Sequence, residues 1–183
     1  HSHEEYQLNV ILKGRGTRYI GDHMKPFKEG DLVLTGPNLP HVWRCDNAYF
    51  DAESTMETHD IVIYFPESFL GKDALQKEEF AEIGKLLHMA GRGLEITGQT
   101  NKVVIKMMKD LVNQTGVTSI IGLLEILNVL AHSSELEPIT QMDYKSNYTA
   151  HEKDKISEIL EYVLKNFNQK ITLQEVASLA NMS

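Results

Sequence analysis

Hydrophobic and polar positions alternate with a period of two along the first third of the chain, then with a period near 3.6 along the rest. Glu5 to Lys13 places Tyr6, Leu8, Val10 and Leu12 on one face of a strand. Gly14-Arg15-Gly16 turns the chain and Thr17 to Ile20 returns, which predicts a hairpin. Met24 to Phe27, Asp31 to Leu34, His41 to Arg44 and Tyr49 to Ala52 predict further short strands. Ile61 to Phe65 is continuously apolar, predicts a central strand, and is closed by Pro66. Short strands separated by turn signals predict an all-β barrel or sandwich.

From Gln76 onwards the period is helical. Gln76 to Ala90 carries Phe80, Ile83, Leu87 and Ala90 at three- and four-residue spacing, and glycines end it. Leu94 to Ile96 is short and extended. Asn101 to Gln114 is amphipathic, with Val104, Met107, Met108 and Leu111 opposite Lys102, Lys106 and Lys109. Thr118 to Ser133 is apolar almost all round, so it needs cover on more than one side, and a subunit interface is expected there. Glu135 to Thr149 shows no period and reads as a linker. Asp154 to Phe167 predicts an amphipathic helix, and Thr172 to Ala180 a short one with Leu173, Val176 and Leu179 inward. Thr172 and Glu175 form a capping-box pattern. The expected organisation is a barrel over 1–75, a helical dimerisation region over 76–134, a linker over 135–152 and a small helical domain over 153–183.

Composition narrows the function classes. Of 183 residues 42% are apolar, and no run reaches the length needed to cross a bilayer. The single cysteine, Cys45, excludes an internal disulfide and fits a reducing cytoplasm. Net charge is −8. All of it resides in residues 1–143, with 13 Lys+Arg against 21 Asp+Glu, while residues 144–183 hold five of each. With no basic stripe, this piece is expected to grip nucleic acid poorly, and its acidic part suits a neutral or cationic ligand. The sequence shows no nucleophile elbow, phosphate loop or paired-cysteine metal pattern, and no catalytic role is expected.

Chemistry-bearing residues cluster in two stretches, His1-Ser2-His3-Glu4-Glu5-Tyr6-Gln7-Leu8 and Gly30 through Trp43, GDLVLTGPNLPHVW. Gly36, Pro37, Asn38 and Pro40 make a rigid turn, after which His41 and Trp43 share a strand face. The two stretches resemble the HxHxxYQL and GDLxLxxPxxPHxW patterns of the cupin-like effector domain in AraC-type transcriptional regulators. DKISEILEYVLKNFNQKITLQEVASLANMS resembles the first two helices of that family's DNA-binding domain. The resemblance implies a mainly β then α chain: a jelly-roll type β-barrel, a helical dimerisation layer and a truncated helix-turn-helix domain. Thr172, Glu175, Ala177 and Leu179 would be scaffold residues of that last domain. The recognition helix and a second helix-turn-helix are expected beyond Ser183, and a further strand and arm before His1.

On this resemblance the protein is a cytoplasmic, homodimeric transcription regulator, with a lean towards activation. It senses a small-molecule effector, with a sugar as the candidate class, and binds duplex DNA when complete but poorly as this piece. Candidate effector-binding residues are His3, Tyr6, His41, Trp43 and Tyr19, with Trp43 reading equally as core packing and Tyr19 more readily as plain sheet surface. His1, His3 and His41 could furnish a metal's imidazole ligands. Metal-binding cupins carry a glutamate where this chain has Gln7 and Leu8, so hydrogen bonding at the barrel rim is the preferred reading and no cofactor is expected. The alternative from another class is a cupin-type metal-dependent enzyme, an isomerase or dioxygenase, using those three histidines. Arg92, between two glycines, reads as a solvated helix end rather than an anion ligand.

Overall fold

Tyr6–Lys13 (β1) is buried on both faces over most of its length, and the larger part of the molecule is arranged around it. The computed structural model describes residues 1–71, 73–141, 158–159, 162–163, 165–166 and 169–179. The chain divides into two units, one of residues 3–144 and one of residues 145–183, with which residues 1–2 are grouped.

In the first unit β1 is followed by Gly16–Ile20 (β2), His23–Phe27 (β3), Leu32–Thr35 (β4), His41–Cys45 (β5) and His59–Phe65 (β6). Two further strands, Leu94–Ile96 (β7) and Leu136–Pro138 (β8), come after the first helix and after the third. One antiparallel sheet has the order β6-β1-β4-β7-β8 and the other β3-β2-β5. Pro26 is accommodated because β3 is an edge strand, where one missing backbone donor is tolerated.

The helices are Ala81–Ala90 (α1), Gly98–Leu111 (α2) and Val117–Ala131 (α3). They cover one face of the larger sheet. There Tyr6, Leu8, Val10, Leu32, Leu34 and Phe65 meet Ile83, Leu87, Val104, Met108, Leu123 and Leu127 in the main core. Each fully buried Leu or Val there contributes on the order of 1.5–3 kcal/mol. The alternate residues of β1, Gln7 and Asn9, point to the other face, between the two sheets. Apolar atoms enter that space chiefly through a small cluster of Ile20, Val33 and Leu39, with Trp43 and Ile139 packed against it, and through Ile11. The apolar side of the strands thus serves the helices, and the inside of the sandwich is polar.

Several elements differ from the sequence reading. β6 is an edge strand rather than a central one, because an apolar run does not reveal whether both its neighbours are strands. In place of the strand over 49–52 there is a single 3-10 turn, Asn47–Tyr49, with Phe50 exposed. α1 begins at Ala81, preceded by two 3-10 turns. The barrel does not end at residue 75: β7 pairs with β4 and β8 with β7, so part of the stretch read as linker is sheet. Three-residue strands are too short for a period to register.

Two local devices hold the layers together. Asn101 donates both amide hydrogens, to the Gly30 and Ile96 carbonyls at 2.9 and 3.0 Å, and so ties α2 to the β3–β4 turn and to β7. The Glu135 carboxylate accepts from the Gln99 and Thr100 backbone N–H groups at 3.1 and 2.7 Å, satisfying the start of α2. Those bonds, with the Thr100 backbone contributing most, hold its carboxyl below the ordinary range. Arg92 is no solvated end: its guanidinium donates to the Thr140 carbonyl, while Thr140 donates back to the Arg92 carbonyl.

In the second unit Leu173–Leu179 (α4) begins with the capping box expected of it. The Glu175 carboxylate accepts from the Thr172 backbone N–H at 2.7 Å, and Thr172 Oγ1 accepts from the Glu175 N–H at 3.3 Å. Val176, Ala177 and Leu179 are half-buried, but Leu173 is exposed rather than inward. At the first helical residue a side chain leans back over the cap, where no preceding turn receives it. The helix expected over 154–167 lies mostly outside the described residues, as does Ser183.

Candidate functional site: the inner face of the sandwich

The turn from Gly36 to Pro40 builds the first half of the site. Asn38 takes φ +61°, a value open to Asn among non-glycine residues, and its N–H donates to the His3 carbonyl at 2.7 Å. Gly36 is required by close approach, since a Cβ there would stand 2.8 Å from the Ala90 carbonyl at the end of α1. The same turn presents the Leu39 carbonyl 2.7 Å from His41 Nδ1, and Glu5 presents its own 3.0 Å from His3 Nδ1. Each imidazole therefore keeps its proton on Nδ1, and in the neutral ring Nε2 carries a lone pair.

Both Nε2 atoms converge on the Gln7 side-chain amide, at 3.2 Å from His3 and 3.0 Å from His41. Two lone pairs cannot both face a carbonyl oxygen, so the amide presents its nitrogen there and donates one hydrogen to each ring. Burial pushes His41 down to about 4, so it is neutral at pH 7 and the arrangement is self-consistent. The rings stand edge-on at 5.0 Å, with Tyr64 beside His3 at 5.2 Å and Trp43 beside His41 at 5.7 Å.

Trp43 leads to the second half. Its indole Nε1 donates to Asp31 Oδ2 at 3.5 Å, and Arg18 Nη1 lies 3.6 Å from the same oxygen. The latter is close enough for charge attraction but too long for a hydrogen bond, which leaves Arg18 Nε and Nη1 without a hydrogen-bond partner among the described residues although the side chain is 1% exposed. Arg18 Nη2 donates to Glu95 on β7, and Lys25 on β3 donates to both Glu95 oxygens at 2.8 and 2.9 Å. These contacts tie the small sheet to the large one. Burial raises Asp31 above the usual carboxylate range, and the Arg18 charge only partly offsets it. Burial would also raise Glu95, but hydrogen bonds from Lys25 and the charges of Arg18 and Lys25 outweigh it and hold that carboxyl low. Asp31, Glu95 and Lys25 line a cleft of about 710 Å³ at the seam between β3 and β7.

The structure thus brings His3, His41 and Trp43 together. Tyr6 and Tyr19 stand elsewhere. Tyr6 is on the helix-facing side of β1, stacked on Phe65 at 5.3 Å, because its parity matches Leu8 and not Gln7. Tyr19 is on the outer face of β2, opposite Arg18 and Ile20. His1 is grouped with the other unit. Sequence reasoning missed Gln7 as a donor, Asn9, Arg18, Asp31 and Glu95. A signal did exist for Arg18, since alternation sets it on the face of the apolar Ile20. Its carboxylate partners come from distant segments, and no local pattern announces them.

This geometry defines a two-sheet β-sandwich with a polar interior, and residues 1–52 match the family model described as the cupin domain. Over 79 residues the chain is 30% identical to a protein of Aquifex aeolicus (strain VF5) described as uncharacterized, covering 43% of this chain and 58% of that one. Its fold resembles the crystal structure of the AraC-like transcriptional activator CuxR, with a TM-score of 0.50 at 10% identity over 99% of this chain and 58% of that one. The chain therefore spans a little over half the length of the proteins it matches. The fold is mainly β and cupin-like, followed by helices, as the sequence resemblance implied. No described helix is long and apolar enough to cross a membrane.

Proposed function

We propose that this chain is the effector-sensing part of a ligand-responsive transcription regulator, with a small polar molecule held between the two sheets. The observation that carries the reading is the composition of the inner face. Gln7, Asn9, Arg18, Asp31, His41 and Trp43 occupy positions that a purely structural sandwich fills with apolar side chains. Among the described residues Arg18 Nε and Nη1 and Asn9 Oδ1 have no hydrogen-bond partner, so both donors and an acceptor suit a polar ligand. Neutral polyols, sugars among them, offer both. The likeness in fold to an AraC-like activator supports the same reading.

Trp43 is the only tryptophan and its indole borders the site, so its fluorescence reports directly on occupancy. A saturable change with one class of sugar or polyol, lost in Arg18→Lys, is expected. If no neutral polyol or sugar perturbs Trp43 up to millimolar concentration, the sensing role fails. DNA binding belongs to the complete protein: a chain extended beyond Ser183 should retard duplex DNA at low salt, and the 183-residue chain should not. Dimerisation is assigned to α3, which exposes Val117, Ile120 and Ile121 at 72%, 42% and 49%. Ile121→Glu should yield a monomer by sedimentation.

A second reading has one observation in its favour. His3 and His41 have Nδ1–H anchored on carbonyls and Nε2 turned towards a common point, the orientation that second-shell bonds give to metal-ligating histidines. The two rings fit a divalent metal, with the Gln7 amide, turned over to present its oxygen, a neutral third ligand in place of a carboxylate; the metal would supply Lewis-acid chemistry. Zinc titration by calorimetry separates the readings, since a stoichiometric heat lost in His41→Gln belongs only to this one.

A further inference from the structure

We propose that the cleft beside α1, outside the sandwich, is a second small-molecule site, selective for an organic cation with a small apolar body. The cleft has a volume of about 480 Å³ and lies among the start of β1, the segment after β6 and the exposed side of α1. Leu75 and Leu87 give it apolar walls, and Tyr6, Glu67 and His88 give it polar groups. Tyr6 is the most fixed of these: it is 5% exposed, its ring is stacked on Phe65, and its hydroxyl has no hydrogen-bond partner among the described residues. Burial, then the nearby Glu67 carboxylate, keeps the phenol protonated and able to donate. Among the described residues Glu67 makes no ion pair, and among those lining the cleft it is the sole carboxylate, with no lysine or arginine. An anion is therefore repelled and a cation drawn in.

Gly84 supplies an independent argument. Glycine is the least favoured residue after proline in a helix interior, so a mid-helix glycine calls for a packing reason. None is found here, because a Cβ at position 84 would meet only the Leu75 carbonyl, at an ordinary 3.8 Å. What the missing side chain does is leave the cleft open, since Gly84 and Leu75 both line it. The site does not depend on the sensing role assigned to the inner face: the two stand on opposite sides of β1.

The test uses the full 183-residue chain, isotopically labelled, titrated with benzylammonium, benzyl alcohol and benzoate, which share a ring and differ in charge. Benzylammonium should give saturable amide shifts at Glu67, Gly84 and His88, with benzyl alcohol at least ten-fold weaker and benzoate silent. Glu67→Gln, an exposed change that leaves the core untouched, should weaken benzylammonium at least five-fold. Gly84→Leu should abolish the shifts while the spectrum stays dispersed. Equal binding of amine and alcohol, affinity unchanged in Glu67→Gln, or shifts confined to the surroundings of Trp43 would each overturn the proposal.

Discussion

His41 offers the sharpest quantitative check on the site. Burial holds its pKa at about 4 in the folded chain, against about 6.5 for an unfolded histidine. The unfolded state therefore takes up a proton as pH falls through about 6.5, while the folded state refuses it until about 4. Stability from this residue is complete above the unfolded value and declines across that window. The slope is about 1.4 kcal/mol per pH unit, and the total loss about 3 kcal/mol. His41→Gln removes the titration but keeps a polar side chain near Gln7. Urea unfolding of both proteins at pH 7, 6, 5 and 4.5, with chelator present, isolates the effect by difference, because Asp31 and the surface groups are common to both. Wild type should lose stability relative to the variant at close to that slope below pH 6. Stability curves that run parallel over the whole range would refute the argument, as would a nitrogen-resolved spectrum placing the His41 proton on Nε2 at pH 7.

Three further outcomes follow from the packing. Arg18→Met should cost about 3 kcal/mol in urea unfolding, because it leaves the buried Asp31 carboxylate without its cation while Glu95 keeps Lys25. Gly36→Ala should lower the thermal midpoint by the equivalent of about 1–3 kcal/mol, since its methyl group would press on the Ala90 backbone, whereas Gly30→Ala, where a Cβ meets nothing within 4 Å, should suffer only from its positive φ. Thr172→Ala should cost α4 about 1 kcal/mol, read as roughly five-fold faster hydrogen exchange at Val176 to Leu179.

Much of this architecture can be read in the chain because alternation is a local property. Tyr6, Leu8 and Val10 declare an apolar face, His41 and Trp43 declare a shared one, and Thr172 and Glu175 declare a helix start from three residues apart. Position within a sheet is not local. β6 and a buried central strand look alike along the chain, and β7 and β8 are three residues each, so only their pairing partners make them strands. The candidate site divides the same way. His3 and His41 stand out by residue type and motif, whereas Tyr6 has the right chemistry on the wrong side of β1.

The sequence alone determined which residues alternate, where the turns and caps fall, and that a strand-rich part precedes a helical one, because backbone sterics and side-chain period act over a few residues. The tertiary structure decided which face of β1 meets the helices, that two histidines share one amide, and that Arg18 meets Glu95 across 77 positions. Those choices depend on the enclosure of charge and apolar surface by segments distant in the chain. Burial is set by what arrives from elsewhere, and it is burial that turns an ordinary histidine, arginine or aspartate into part of a site.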